Sequence, residues 1–282
     1  MARSFARSIS FPLSPSSNSK PARMAAHARS VSLPCRSHPI LAHLHVHIRA
    51  VRAWAQDHHP SVAAGLAHVD ALHAALGDLL DLPEAQAALT STATTNGDRL
   101  LDAFLRLADA HGSFQEAVVE LKRDVAEALA AIRRRDGARL ASALRAQRRA
   151  GKEVARLAAA ACRDGGGRPS RLGLGTTTAA EVEVAGLLAE AAAATASASA
   201  ALFSTVAAMS AAACSCKRTA ALVCLTTKKA SASGEEKETL ALTERLEELE
   251  ECIDELESGS DKVFRSLVQT RVALLNIHTH IF

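Results

Sequence analysis

Residues 98–132 read DRLLDAFLRLADAHGSFQEAVVELKRDVAEALAAI, and this stretch decides the fold class. Leu101, Phe104, Leu105 and Ala108 recur at short helical intervals, and Phe114, Val118, Leu121, Val125, Ala128 and Ile132 continue the series in heptad-like steps of three and four. That spacing returns side chains to one face of an α-helix, and charged residues fill the positions between. Asp98 is expected to open this helix, and Gly112-Ser113 to kink it or divide it in two.

Working outward, the same period recurs on both sides. Leu41, Leu44, Ile48, Val51 and Ala55 form a stripe that begins near Ser37 or Pro39 and is closed by Pro60. Ser61 is placed to cap a second helix carrying Val62, Leu66, Val69, Leu72, Leu76 and Leu79, broken at Pro83. A short helix near 84–89 is expected to run into a polar turn ending at Asn96-Gly97. Downstream, Gly137 marks a break, after which Leu140, Leu144, Val154, Leu157 and Ala161 share a face up to Gly165-Gly166-Gly167. Residues 179–216 read as helix. Leu242, Leu246, Leu249, Ile253 and Leu256 make a further stripe, which Ser258-Gly259 is expected to interrupt before a last helix with Val263, Leu267, Leu274 and Ile277.

Composition agrees. Alanine and leucine dominate, aromatics are 3% and tyrosine is absent, a balance that favours helix over strand. No segment alternates at period two. Striped helices must bury their stripes on one another, so the expected fold is all-α: an elongated bundle of about six helices. It occupies residues 37–282, with a basic, low-complexity flexible linker at 217–234 and a disordered, basic, Ser/Pro-rich tail at 1–36. Ala191 to Cys216 carries no charge but is mostly Ala, Ser and Thr, so a buried core helix is expected there rather than a membrane span.

Three segments carry a family resemblance. The first is His27-Ala28-Arg29-Ser30-Val31-Ser32-Leu33-Pro34 with Arg36-Ser37-His38-Pro39 and then Trp54. The second is Asp78-Leu79-Leu80-Asp81-Leu82-Pro83 with Gln86 and Leu89. The third is Phe264-Arg265-Ser266-Leu267-Val268-Gln269-Thr270-Arg271-Val272 with Leu274-Leu275-Asn276-Ile277. In this order, and with the pattern from Arg99 to Arg135 between them, they resemble the plant BPS (BYPASS-like) proteins over residues 27–282. The resemblance implies a mostly helical plant protein linked to root and shoot development, with no established enzyme activity and no site residues to carry over. Residues 1–23 are additional to that pattern, which favours an upstream extension with Met24 as the usual start over an organellar transit peptide. Residues 179–216 are richer in alanine than the pattern.

The strongest functional signal is a pair of short motifs. Arg29-Ser30-Val31-Ser32-Leu33-Pro34 and Arg7-Ser8-Ile9-Ser10-Phe11-Pro12 both read R-S-x-S-x-P. They resemble the phosphoserine ligand of 14-3-3 proteins, with Ser32 and Ser10 as acceptors. Upstream Arg29 and Arg7 suit basic-directed kinases, a phosphate supplies charge for an arginine cluster, and Pro34 and Pro12 keep the chain extended. Ser/Arg/Pro-rich tails also produce such strings by composition alone.

Other chemistry is thin. His43, His45 and His47 alternate on the first helix and His58-His59 follow, but only His43 and His47 share a face, and only Asp57 lies near as a third donor. That falls short of a structural metal site. Cys214, Cys216 and Cys224 lack zinc spacing, and the six cysteines are expected as reduced thiols in a cytoplasmic-type compartment. Plastid or membrane-periphery locations are the alternatives. No nucleophile elbow or phosphate loop is present, so no catalytic residue, metal or cofactor is expected. The net charge of +3 does not by itself point to nucleic acid. Charge is nevertheless segregated: nine basic residues between Arg133 and Arg156 oppose Asp136 and Glu153, and eleven acidic residues between Glu235 and Glu257 oppose Lys237 and Arg245. Mutual pairing of these two helices, within a chain or between chains, is one expectation; two separately solvated faces, or a basic helix on anionic lipid, are the others. The composite expectation is a non-enzymatic interaction or regulatory protein.

Overall fold

A computed structural model describes residues 39–57, 61–91, 94–165, 179–214 and 232–279. Among these are seven α-helices and no strand: α1 (Pro39–Ala55), α2 (Val62–Leu80), α3 (Pro83–Ser91), α4 (Thr94–Arg133), α5 (Gly137–Gly165), α6 (Ala179–Cys214) and α7 (Ala232–Thr279). The apolar stripes read from the sequence are the core. Leu242, Leu246, Leu249, Ile253 and Leu256 are fully sealed, as are Phe104, Phe114, Leu121 and Val125 of α4. Ser61 caps α2 as expected, its side chain accepting from the Ala64 amide.

The layout is organised around α6, which packs on all six other helices. Its alanines make this feasible, because small side chains let many neighbours approach one axis. Between Val182 and Cys214 this helix is long and apolar enough to cross a membrane, yet within the fold it is the shared core element. The longest pair, α4 and α7, run antiparallel: Gly97 lies at His278, Gly112 at Phe264, and Lys122 at Asp254 and Glu257.

Several boundaries differ from expectation, each for a physical reason. Gly112-Ser113 does not divide α4, and Asn96-Gly97 forms no turn but lies in the first turns of that helix. Ser258-Gly259 does not interrupt α7. Glycine inside a helix costs roughly 1 kcal/mol against alanine. Here the missing side chain is what admits the partner: a Cβ on Gly259 would press on Leu66 of α2, and one on Gly97 would overlap the His278 ring. The break at Gly137 is real, but the left-handed residue is Arg135 (φ 54°) and Gly137 is already helical. Residues 232–234, expected in the linker, belong to α7, which starts at Ala232; the rest of that expected linker, and the expected tail at 1–36, lie outside the described residues.

The two charged helices do not pack on each other within the chain. The basic helix α5 lies on α4 and α6, while the acidic end of α7 is tied to α4, where Lys122 Nζ sits 3.0 Å from Asp254 and 2.7 Å from Glu257. The intrachain pairing of basic and acidic helices is thereby corrected: α4 occupies the place beside α7 that α5 would need.

Candidate functional site

Polar side chains interrupt the apolar core along one connected path. His73 of α2, His111 of α4, Thr195 and Ser199 of α6 and Thr270 of α7 are all buried, His111 to 1% exposure. Thr195 and Ser199 stand one turn apart on α6 and meet the two histidines from one side. His73 Nδ1 lies 3.0 Å from Thr270 Oγ1 and His73 Nε2 lies 3.2 Å from Thr195 Oγ1. His111 Nε2 lies 2.8 Å from Ser199 Oγ. Four helices are thus joined through two imidazoles.

The hydroxyl protons fix the direction of each bond. Thr270 Oγ1 donates to the Ser266 carbonyl (2.9 Å), so it accepts from His73 Nδ1–H, and His73 Nε2 accepts from Thr195 Oγ1–H. Ser199 Oγ donates to the Thr195 carbonyl (2.9 Å), so it accepts from His111 Nε2–H. His73 is therefore fully satisfied as a neutral ring. His111 keeps Nδ1 as a bare lone pair with no partner, a lesser cost than an unpaired donor would be. The path reaches the surface at α7, where Ser266 Oγ lies 2.9 Å from Asp70 Oδ1.

Desolvation holds both rings neutral: His73 is pushed down to about 4, and His111 to about 3 by burial first and then by His73. A proton on His111 would also have nothing to bond. Aromatic rings seal the site. Phe203 stacks on Phe114 (4.1 Å between centroids, 20°) and meets His111 edge-on at 5.3 Å, while Phe104 meets His73 edge-on at 6.0 Å. A cavity about one water molecule in size lies against His111, Ser199, Trp54 and Leu66. The arrangement ties α2, α4, α6 and α7 together and buries its imidazoles away from solvent.

Chemistry open to solvent lies on the helix faces. On α5, Arg145, Arg149, Lys152 and Arg156 are all exposed and follow one another at intervals of four, three and four. On α7, Glu244, Glu248, Glu251 and Glu255 are all exposed at the same intervals. Arg156 is paired locally with Glu153. On α1, His43 is exposed and His47 half-buried, their Nε2 atoms 3.0 Å apart. No group of three metal-ligating side chains converges among the described residues. Cys214 and Cys252 are buried free thiols and Cys162 an exposed one.

The phosphoserine motifs, Arg29, Ser32 and Pro34 with Arg7, Ser10 and Pro12, lie outside the described residues, as do His58, His59, Cys216 and Cys224. The buried network was not anticipated, although a signal for it exists. His111 sits between Leu107 and Phe114, and Thr270 between Leu267 and Leu274, each at a stripe position where an apolar residue is expected.

The family model described as Protein BPS1 matches residues 65–277, which include the whole buried network and both charged stripes but not His43, His47 or the motif at Ser32. No curated protein and no solved structure matches the chain. The match runs from the start of α2 into the last turns of α7, which is most of the chain, and the chain belongs to the BPS1 family.

Proposed function

We propose that this protein is a non-enzymatic helical interaction protein of the cytoplasm, with a regulatory role in plant root and shoot growth, and that its charged helix faces join one copy of the chain to another. Family membership supports the developmental part of this reading. One observation carries the interaction: two exposed stripes of opposite charge, on helices that do not pack together within a chain, share the same spacing. The spacing reads the same in both directions, so the four basic positions of α5 in one copy meet the four acidic positions of α7 in another in either orientation, with Arg145, Arg149 and Lys152 opposed directly and Arg156 already paired with Glu153 of its own helix. A twofold arrangement uses both stripes twice. Exposed pairs are individually weak and set register more than affinity, so association is expected between about 1 µM and 1 mM.

Sedimentation of the full chain tests this. Assemblies should form at about 0.1 M salt and dissolve at about 1 M, as the Debye length falls from about 10 Å to about 3 Å. The double variant Arg149→Glu/Lys152→Glu should be monomeric, and mixing it with Glu248→Lys/Glu251→Lys should restore association. A chain that stays monomeric at low salt, or a reversal variant that assembles like wild type, overturns the reading. The competing reading places the basic stripe on a membrane surface; flotation of wild type with anionic vesicles, lost in Arg149→Glu/Lys152→Glu, would favour it.

The tail is the regulatory handle in this proposal. Phosphate on Ser32, and secondarily on Ser10, supplies the charged group that the arginine cluster of a 14-3-3 protein grips, with Arg29 and Pro34, or Arg7 and Pro12, framing it. After treatment with a basic-directed kinase, 14-3-3 capture should fall by at least about tenfold in Ser32→Ala. Equal capture of both proteins removes this part of the proposal.

A further inference from the structure

The exposed side of α1 carries an arrangement that the interaction reading leaves unused. His43 and His47 stand one turn apart, their rings nearly perpendicular (84°) with centroids 4.4 Å apart. Their Nε2 atoms approach to 3.0 Å, a hydrogen bond in which one ring's Nε2–H points at the other's lone pair. Two solvated rings on a helix surface gain little from one another, since water serves each nitrogen equally well. The separation has a second meaning. Imidazole nitrogens bind a divalent transition ion at about 2.0–2.1 Å, and two ligands on adjacent corners of a square or octahedron then lie about 3.0 Å apart. A tetrahedral ion spreads the same two ligands to about 3.4 Å.

We infer that His43 and His47 form a two-histidine chelate on α1 for a late divalent first-row transition ion of tetragonal preference, copper(II) first and nickel(II) next, with water filling the remaining positions. The order follows ligand type: nitrogen donors bind copper(II) most strongly in the first-row series. His45 is exposed on the same helix but two residues from each partner, so it projects from the other side of α1 and cannot join the chelate.

The test is a copper(II) titration of the full chain near neutral pH, read by the nitrogen hyperfine pattern of its electron paramagnetic resonance spectrum and by calorimetry. Wild type should bind one tightest equivalent with a two-nitrogen signature, nickel(II) should bind in the same place more weakly, and zinc(II) more weakly than copper(II). Single variants His43→Ala and His47→Ala should each weaken that equivalent by at least about tenfold, the scale on which even a ligand's hydrogen-bond partners act. His45→Ala should leave it unchanged. Circular dichroism confirms folding in each case, which is expected because all three side chains lie at the helix surface. The inference is overturned if His43→Ala or His47→Ala binds copper(II) as wild type does, or if His45→Ala weakens the same equivalent equally.

Discussion

Acidification from about pH 7.5 to about pH 5 is expected to remove on the order of 4 kcal/mol of folding stability through His73 and His111 alone. Both rings are held neutral in the folded chain, His73 down to about 4 and His111 to about 3, whereas a histidine in an unfolded chain takes its proton near 6.5. Below 6.5 the unfolded state therefore binds more protons, and stability falls with pH. The loss runs from 6.5 down to the folded values and stops there. At pH 5 each site has lost about 1.5 units of linkage, or roughly 2 kcal/mol. Asp124 works the other way, since burial raises its carboxyl and so favours the fold in acid, but Arg123 3.8 Å away opposes that shift. Guanidinium unfolding followed by far-ultraviolet circular dichroism at a series of pH values measures the slope. His111→Gln cannot titrate, so it should lose roughly half as much on acidification; at neutral pH its side-chain amide N–H can still donate to Ser199, and its cost there is the lost edge contact with Phe203. A wild-type stability that is flat between pH 7.5 and pH 5 would contradict the buried, neutral assignment.

That network also marks the limit of what the sequence disclosed. The helices were legible because their apolar residues recur with the helical period, and Leu44, Leu76, Phe104, Leu121, Leu249 and Leu267 are buried where that period puts them. Helix ends at Gly97, Gly112 and Gly259 were misread because a glycine looks like a break along one chain. Whether it is a break depends on the helix that approaches it, and Leu66, Phe264 and His278 are far away in sequence. The same distance hid the buried site. His73, Thr195 and Thr270 lie far apart along the chain and meet only once α2, α6 and α7 are packed. The helix that contributes two of the partners, α6, is apolar nearly all round, so no periodicity singles out Thr195 or Ser199. Opposite charge on α5 and α7 was visible in the sequence, but the intervening position of α4 was not.

Phe203→Ala should cost about 3–5 kcal/mol, among the largest single-residue losses expected in the bundle. Phe203 has no exposed surface, stacks on Phe114 and closes over His111. Truncation removes its transfer energy, the stacked pair and the edge contact together. The site has little means of collapse, because α6 packs against all six other helices and its own nearby side chains are mostly alanine, too short to refill the space. Phe203→Leu keeps most of the volume and should lose much less, about 1.5 kcal/mol or below. The substitution carries a second, independent consequence. The space it opens lies against His111, whose unpartnered Nδ1 is the polar atom best placed to draw water inward. A hydrated His111 accepts a proton more readily, so the acid-dependent loss should be shallower in Phe203→Ala than in wild type although the starting stability is lower. Unfolding curves at neutral pH and near pH 5 separate the two effects. A Phe203→Ala protein destabilised by less than about 1 kcal/mol would mean that α6 is not packed as the central helix. One destabilised as expected but with an unchanged pH slope would mean that water does not reach His111 and that its neutrality is set by the helices rather than by the ring beside it.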